Sequence, residues 1–116
     1  LLKDPAVRTD SGDVAHAIGT VARAAGFGML ADHMAGMAKH VFGFVWIPPA
    51  GGTPGRGLKL QRGRVSATGP RPIGGGPAGY RHDRDGWTIR TADGTRAAHA
   101  EHTIAVVPEG ARVLTV

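Results

Sequence analysis

At 116 residues the chain has the size of one domain and can bury a core without staples. It has no cysteine, which excludes a disulfide framework, thiolate metal sites and a cysteine nucleophile. The net charge of +5 favours polyanionic partners such as nucleic acid, acidic protein surfaces or anionic lipid, and no run of about 18 apolar residues offers a membrane-spanning helix.

Residues 1–10 read as an arm, with Pro5 set against a helix. Leu1-Leu2 is followed at once by Lys3 and Asp4, so no signal peptide is read there. Ser11 or Asp10 can cap a helix whose first turn carries Asp13, favourable at the positive end of the helix dipole. Val14, Ile18, Val21 and Ala25 recur at helical spacing, with His16, Thr20 and Arg23 on other faces. Gly26 and Gly28 end or bend this helix. A second helical stripe follows in Leu30, Met34, Met37 and Val41, giving a helical pair over 11–40.

Residues 41–47 alternate as a strand apolar on both faces, with Phe42, Phe44 and Trp46 on one of them. Pro48 and Pro49 stop it. A strand is expected over 58–67 with a bulge at Gly63, and a loop over 68–79, where glycine and proline dominate. Tyr80 to His82 forms a short strand turning at Asp83-Arg84-Asp85. Trp87 and Ile89 then alternate with Thr88 and Arg90. Asp93-Gly94 is a favoured hairpin turn, and it would set Ile89 opposite Ala98 and Trp87 opposite Ala100. Trp87, Ile89, Ala98, Ala100, His102, Ile104 and Val106 would then share one apolar face. Pro108 to Gly110 turns the chain into a closing strand. The expected architecture is a single α+β domain over 1–116. An N-terminal helical pair packs on a small bent antiparallel sheet or incomplete β-barrel, with basic Gly/Pro loops at 48–57 and 68–79.

Charge is placed unevenly. Lys3, Arg8, Arg23 and Lys39 balance Asp4, Asp10, Asp13 and Asp32, so the excess lies beyond residue 48. Residues 49–82 contain no acid but hold Arg56, Lys59, Arg62, Arg64, Arg71 and Arg81. Guanidinium forks and amides in glycine-rich loops suit phosphate oxygens or acidic protein grooves. Only Tyr80 supplies an aromatic ring for base stacking in that stretch, which tilts the reading from nucleic acid toward protein assembly.

Catalytic patterns are weaker. Gly26-Phe27-Gly28 follows a helix rather than a strand, the run Gly74-Gly75-Gly76 opens onto no helix, and residues 52–59 lack the Gly-Lys-Ser/Thr ending of a phosphate loop. His33 and His40 could share a helix face, yet a zinc site needs at least three protein ligands. His99 and His102 should point to opposite strand faces, with His102 as a hydrogen-bonded core histidine. His82, Asp83 and Asp85 cluster at a turn, where carboxylates ordinarily serve turn chemistry. These observations point to a non-catalytic structural or assembly subunit of a homo- or hetero-oligomer. It would engage partner subunits through the six cations, with no cofactor, metal or catalytic residue. The alternative is an electrostatic nucleic-acid binder with little sequence preference. A small enzyme using the His82/Asp83/Asp85 cluster is the third reading. The chain reads as soluble, or as part of a larger assembly.

Overall fold

The computed structural model describes residues 9–29, 52–74 and 79–115. Among them one helix and seven short strands follow in order: α1 (Ser11–Ala24), β1 (Phe27–Met29), β2 (Val65–Thr68), β3 (Pro72–Gly74), β4 (Tyr80–His82), β5 (Ile89–Thr91), β6 (His102–Val107) and β7 (Gly110–Val113). All their pairings are antiparallel: β1 with β3, β2 with β6 and β6 with β7, and β4 with β5. The class is α+β, as expected.

The start of α1 is fixed by the chain that returns beside it. Asp10 is the cap in an extended conformation, and Asp13 Oδ2 accepts the Asp10 N–H at 2.7 Å. Asp13 Oδ1 reaches outward to accept the Gly55 N–H at 2.8 Å. Ser11 N–H donates to the Leu58 carbonyl at 2.9 Å, and Ser11 Oγ accepts the Leu58 N–H at 3.1 Å. Gly12 N–H donates to the Arg56 carbonyl and Leu60 N–H to the Thr9 carbonyl, both at 2.9 Å. Helix amides that have no partner within the helix thus find carbonyls in residues 56–58. The approach is close enough that only glycine fits at position 12. A Cβ there would lie 2.3 Å from the Arg56 carbonyl oxygen and 2.4 Å from that of Thr53.

The described residues hold one helix, so the helical pair is not borne out. Gly26, at φ 78, takes the left-handed conformation that ends α1 and sends the chain into β1. The second stripe from Leu30 to Val41, the aromatic strand at 41–47, Pro48 and Pro49 lie outside the described residues, as does most of the N-terminal arm.

Two further expectations change. The hairpin at Asp93-Gly94 does not pair β5 with the residues after it. Asp93 Oδ1 instead accepts the Thr95 N–H at 3.0 Å and its hydroxyl at 2.7 Å. The chain then runs to β3: Gly74 N–H donates to the Arg96 carbonyl at 2.9 Å and Ala98 N–H to the Pro72 carbonyl at 3.1 Å. One edge of β5 is occupied by β4, so the continuous apolar face is broken and Trp87 is 89% exposed. The loop over 68–79 contains β3, which admits Pro72 because proline is tolerated as the first residue of a strand. The bulge expected at Gly63 is present: a left-handed glycine and Arg64 together oppose the single residue Val106. At φ 82 Gly63 brings its own N–H to the Val106 carbonyl at 2.9 Å, while Val106 N–H donates to the Arg64 carbonyl at 2.8 Å. Tyr80 to His82 and the turn into β7 fall where the sequence places them.

Enclosure is sparse. Ala15 and Ile73 are the buried hydrophobic side chains among the described residues. Alanine normally improves on glycine within a helix by about 1 kcal/mol. At position 12 the opposite should hold, because the obstructing atoms are backbone oxygens and overpacking costs about 1–3 kcal/mol. Gly12→Ala should therefore lower the urea midpoint with little change in slope. A variant as stable as the parent would show that residues 53–58 are not seated on the helix.

Candidate functional site

The β2–β6 register sets Thr68 opposite His102, and the residues just beyond, Gly69 and Glu101, face each other. His99 and Glu101 are two apart in extended chain and project to the same side. His99 Nε2 lies 3.4 Å from Glu101 Oε2, with the two side chains 44% and 50% exposed. Both lean over Gly69, where a Cβ would sit 2.9 Å from each of these atoms. The missing side chain is what leaves room for the pair. Thr68 Oγ1, next along β2, is buried without a hydrogen-bond partner. His102 is exposed rather than in the core. Its Nδ1 is 3.3 Å from the Thr115 carbonyl, which suits the tautomer that donates there. Thr103 N–H donates to Thr115 Oγ1 at 3.0 Å, fastening the chain after β7 beside β6.

An imidazole and a carboxylate placed this way can pass a proton or act as two donors to a cation. Among the described residues no three His, Cys, Asp or Glu side chains converge as a metal-binding group. His33 and His40 lie outside the described residues. The His99–Glu101 pair was legible only in part. Alternation puts the two on one face, but the approach of Gly69 depends on the pairing of β2 with β6.

The cluster at the β4–β5 turn is committed to structure. Arg90 Nε donates to Asp83 Oδ2 at 2.5 Å, and Asp83 Oδ1 accepts the Arg84 N–H at 2.9 Å. The Arg90 contact, followed by the Arg84 amide, holds the Asp83 carboxyl below the usual range. Asp85 accepts the Thr88 hydroxyl at 2.5 Å and the N–H groups of Thr88 and Trp87 at 2.8 and 2.9 Å. Those bonds, the Thr88 hydroxyl foremost, depress its carboxyl too. His82 packs edge-on against Tyr80, with ring centroids 5.7 Å apart. Both acids are engaged within the turn.

The six cations singled out in the sequence sit on separate segments. Arg56 and Lys59 are exposed beside the start of α1. Arg62 is exposed and Arg64 half-buried at the turn before β2, Arg71 is half-buried before β3, and Arg81 is exposed on β4. Arg81 lies opposite Arg90 in the β4–β5 register, and Asp83 relieves that like-charge pair. No helix among the described residues is long and apolar enough to cross a membrane.

No known-family profile matches the chain. It is 45% identical over 112 residues to methionine aminopeptidase 1 of Mycobacterium tuberculosis, covering 89% of this chain and 41% of that protein. To a methionine aminopeptidase of Clostridium perfringens it is 36% identical over 104 residues, again 89% of this chain and 41% of the relative. The crystal structure of a methionine aminopeptidase from Thermotoga maritima superposes with a TM-score of 0.76 at 30% identity, covering 98% of this chain and 45% of that one. A methionine aminopeptidase from Streptococci gives 0.77 at 29% identity over 95% of this chain and 36% of that one. The chain thus spans about 41% of the length of these curated relatives. The expectation of a non-catalytic assembly subunit, and its nucleic-acid alternative, is overturned, since the relatives and structural neighbours are catalytic proteins. The six cations lie on several elements, and Arg90 is paired with Asp83.

Asp83 has a lowered carboxyl pKa in the folded chain, so its contribution is complete above the unfolded value of about 3.9 and is lost as pH falls through the lower folded value. Hairpin order, followed through the backbone amide shifts of residues 80–91, should persist through pH 5 and collapse only in stronger acid. Asp83→Asn should loosen the hairpin at neutral pH and flatten that acid limb. An unchanged acid profile in the variant would show that the Arg90 contact does not hold the turn.

Proposed function

We propose that this chain forms part of a methionine aminopeptidase, a hydrolase that releases methionine from the amino terminus of peptides. The 45% identity over 112 residues carries the reading, and the superposition on the Thermotoga maritima enzyme supports it. Releasing an N-terminal residue requires an activated water, a stabilised oxyanion and a proton for the departing amine. In the described residues the groups suited to such work are Glu101 and His99, paired at 3.4 Å, partly exposed and free of the turn contacts that occupy Asp83 and Asp85. Glu101 can accept a proton from water and His99 can relay it. The bare backbone at Gly69 leaves the carboxylate accessible.

Water for such hydrolysis is commonly activated on a metal ion held by three protein ligands. Glu101 and His99 fit as two donors of such a centre. A third donor would come from residues outside those described or from the length that the relatives have and this chain does not span.

A graft tests the reading. This chain replaces the segment of the Mycobacterium tuberculosis relative that it matches. The graft should release methionine from the tripeptide Met-Ala-Ser, and Glu101→Gln within it should lower kcat by about 10²–10⁴. A graft that folds cooperatively yet releases no methionine would remove the proposal.

A further inference from the structure

Gly69 owes its identity to space and not to its backbone. It is not among the described glycines at positive φ, so the main chain there would accept a side chain. A Cβ would nevertheless lie 2.9 Å from His99 Nε2 and 2.9 Å from Glu101 Oε2, inside ordinary contact distance of both. Position 69 is kept bare by the two side-chain ends above it. Those ends stand 3.4 Å apart, longer than the about 2.7–2.9 Å of a charge-assisted hydrogen bond between nitrogen and oxygen. Donor atoms that share one metal ion have a spacing of their own. With bonds of about 2.0–2.2 Å, an imidazole nitrogen and a carboxylate oxygen on a tetrahedral zinc ion lie about 3.4 Å apart. On octahedral magnesium, with bonds of about 2.0–2.1 Å, neighbouring ligands lie about 2.9 Å apart. Calcium has longer bonds but takes oxygen ligands. His99 Nε2 and Glu101 Oε2 match the edge of the tetrahedron.

We infer that His99 selects the metal: its imidazole, beside the Glu101 carboxylate, takes a four-coordinate divalent ion of the zinc class, and Gly69 is the positioning residue that lets the two donors converge. Imidazole suits zinc and the late transition metals, whereas magnesium, calcium and manganese favour carboxylate, carbonyl and water. A pair of carboxylates at this place would leave the choice to the oxygen-preferring ions, so the nitrogen of His99 decides it. Both side chains are about half exposed, which gives an ion and its waters a way in. The register supports the same assignment, since β2 brings Gly69 beside Glu101 and nothing in the backbone of either strand has to move. The inference deepens the proposed methionine aminopeptidase reading and rests on it for the presence of a metal.

Zinc and cobalt(II) titrated into the 116-residue chain test it. Zinc should bind, and His99→Gln should weaken it by about 100-fold or more, since loss of a merely supporting contact already costs about 10–100-fold. His82→Gln, at the histidine packed on Tyr80, should leave zinc affinity unchanged. Gly69→Ala should weaken zinc by about tenfold or more. The atoms it crowds are the far ends of exposed side chains, which can turn aside, so the urea midpoint should hold. Cobalt(II) should show the intense visible bands of four-coordination and not the faint ones of six. Absence of zinc binding, zinc binding indifferent to His99, or six-coordinate cobalt overturns the inference. A Gly69→Ala chain that binds zinc as the parent does overturns the positioning role. Methionine release by the graft separates the two proposals. Zinc held through His99 without release rejects the aminopeptidase reading alone, and release with zinc binding indifferent to His99 rejects the imidazole ligand alone.

Discussion

Ala15 lies where the first turns of α1 press on the returning segment, and a Cβ at Gly52 would come within 2.6 Å of its methyl. Ile73 lies in β3, between β1 on one side and the bridge to Ala97 on the other. These two side chains are the enclosed apolar centre of the described residues. Hydrophobic burial is the dominant favourable term in folding, so so small an enclosed set constrains everything else. Order in the rest of the described residues depends on backbone pairing and on polar contacts.

Those polar contacts are local and consistent. Asp13, Asp83, Asp85 and Asp93 each accept hydrogen bonds at a place where the chain changes direction. Each has its carboxyl held below the usual range by those bonds. Short acids suit this task because they reach amides two or three residues away. Glu101 differs: its carboxylate faces an imidazole across a glycine and closes no turn. That division separates the acids that shape the chain from Glu101, the acid to which the proposed reading assigns chemistry.

Much of the local structure was legible. Asp13 in the first turn, the stripe through Ile18 and Val21, and the stop at Gly26 defined α1 because helix signals are contiguous in sequence. The strand at Tyr80 to His82 and the turn at Pro108 to Gly110 were legible for the same reason. The hairpin at Asp93-Gly94 was misjudged because the turn dipeptide says nothing about which edge is already occupied. β4 had taken one edge of β5, and β3 drew away residues 96–98. The site was less legible still. His99 and Glu101 gain their setting from Gly69, some thirty residues earlier in the chain, through the β2–β6 register. The excess of arginine drew attention because charge is visible in composition, whereas the spacing of His99 and Glu101 over Gly69 exists only once β2 meets β6.

Calorimetry of the 116-residue chain on its own measures most directly whether the small enclosed apolar set of the described residues, Ala15 and Ile73, reflects a weakly cooperative fold. A broad transition with an unfolding enthalpy well below about 0.7 kcal/mol per residue near 60 °C is the expected result. A sharp two-state transition with the full enthalpy would contradict it, since the chain would then possess a complete core.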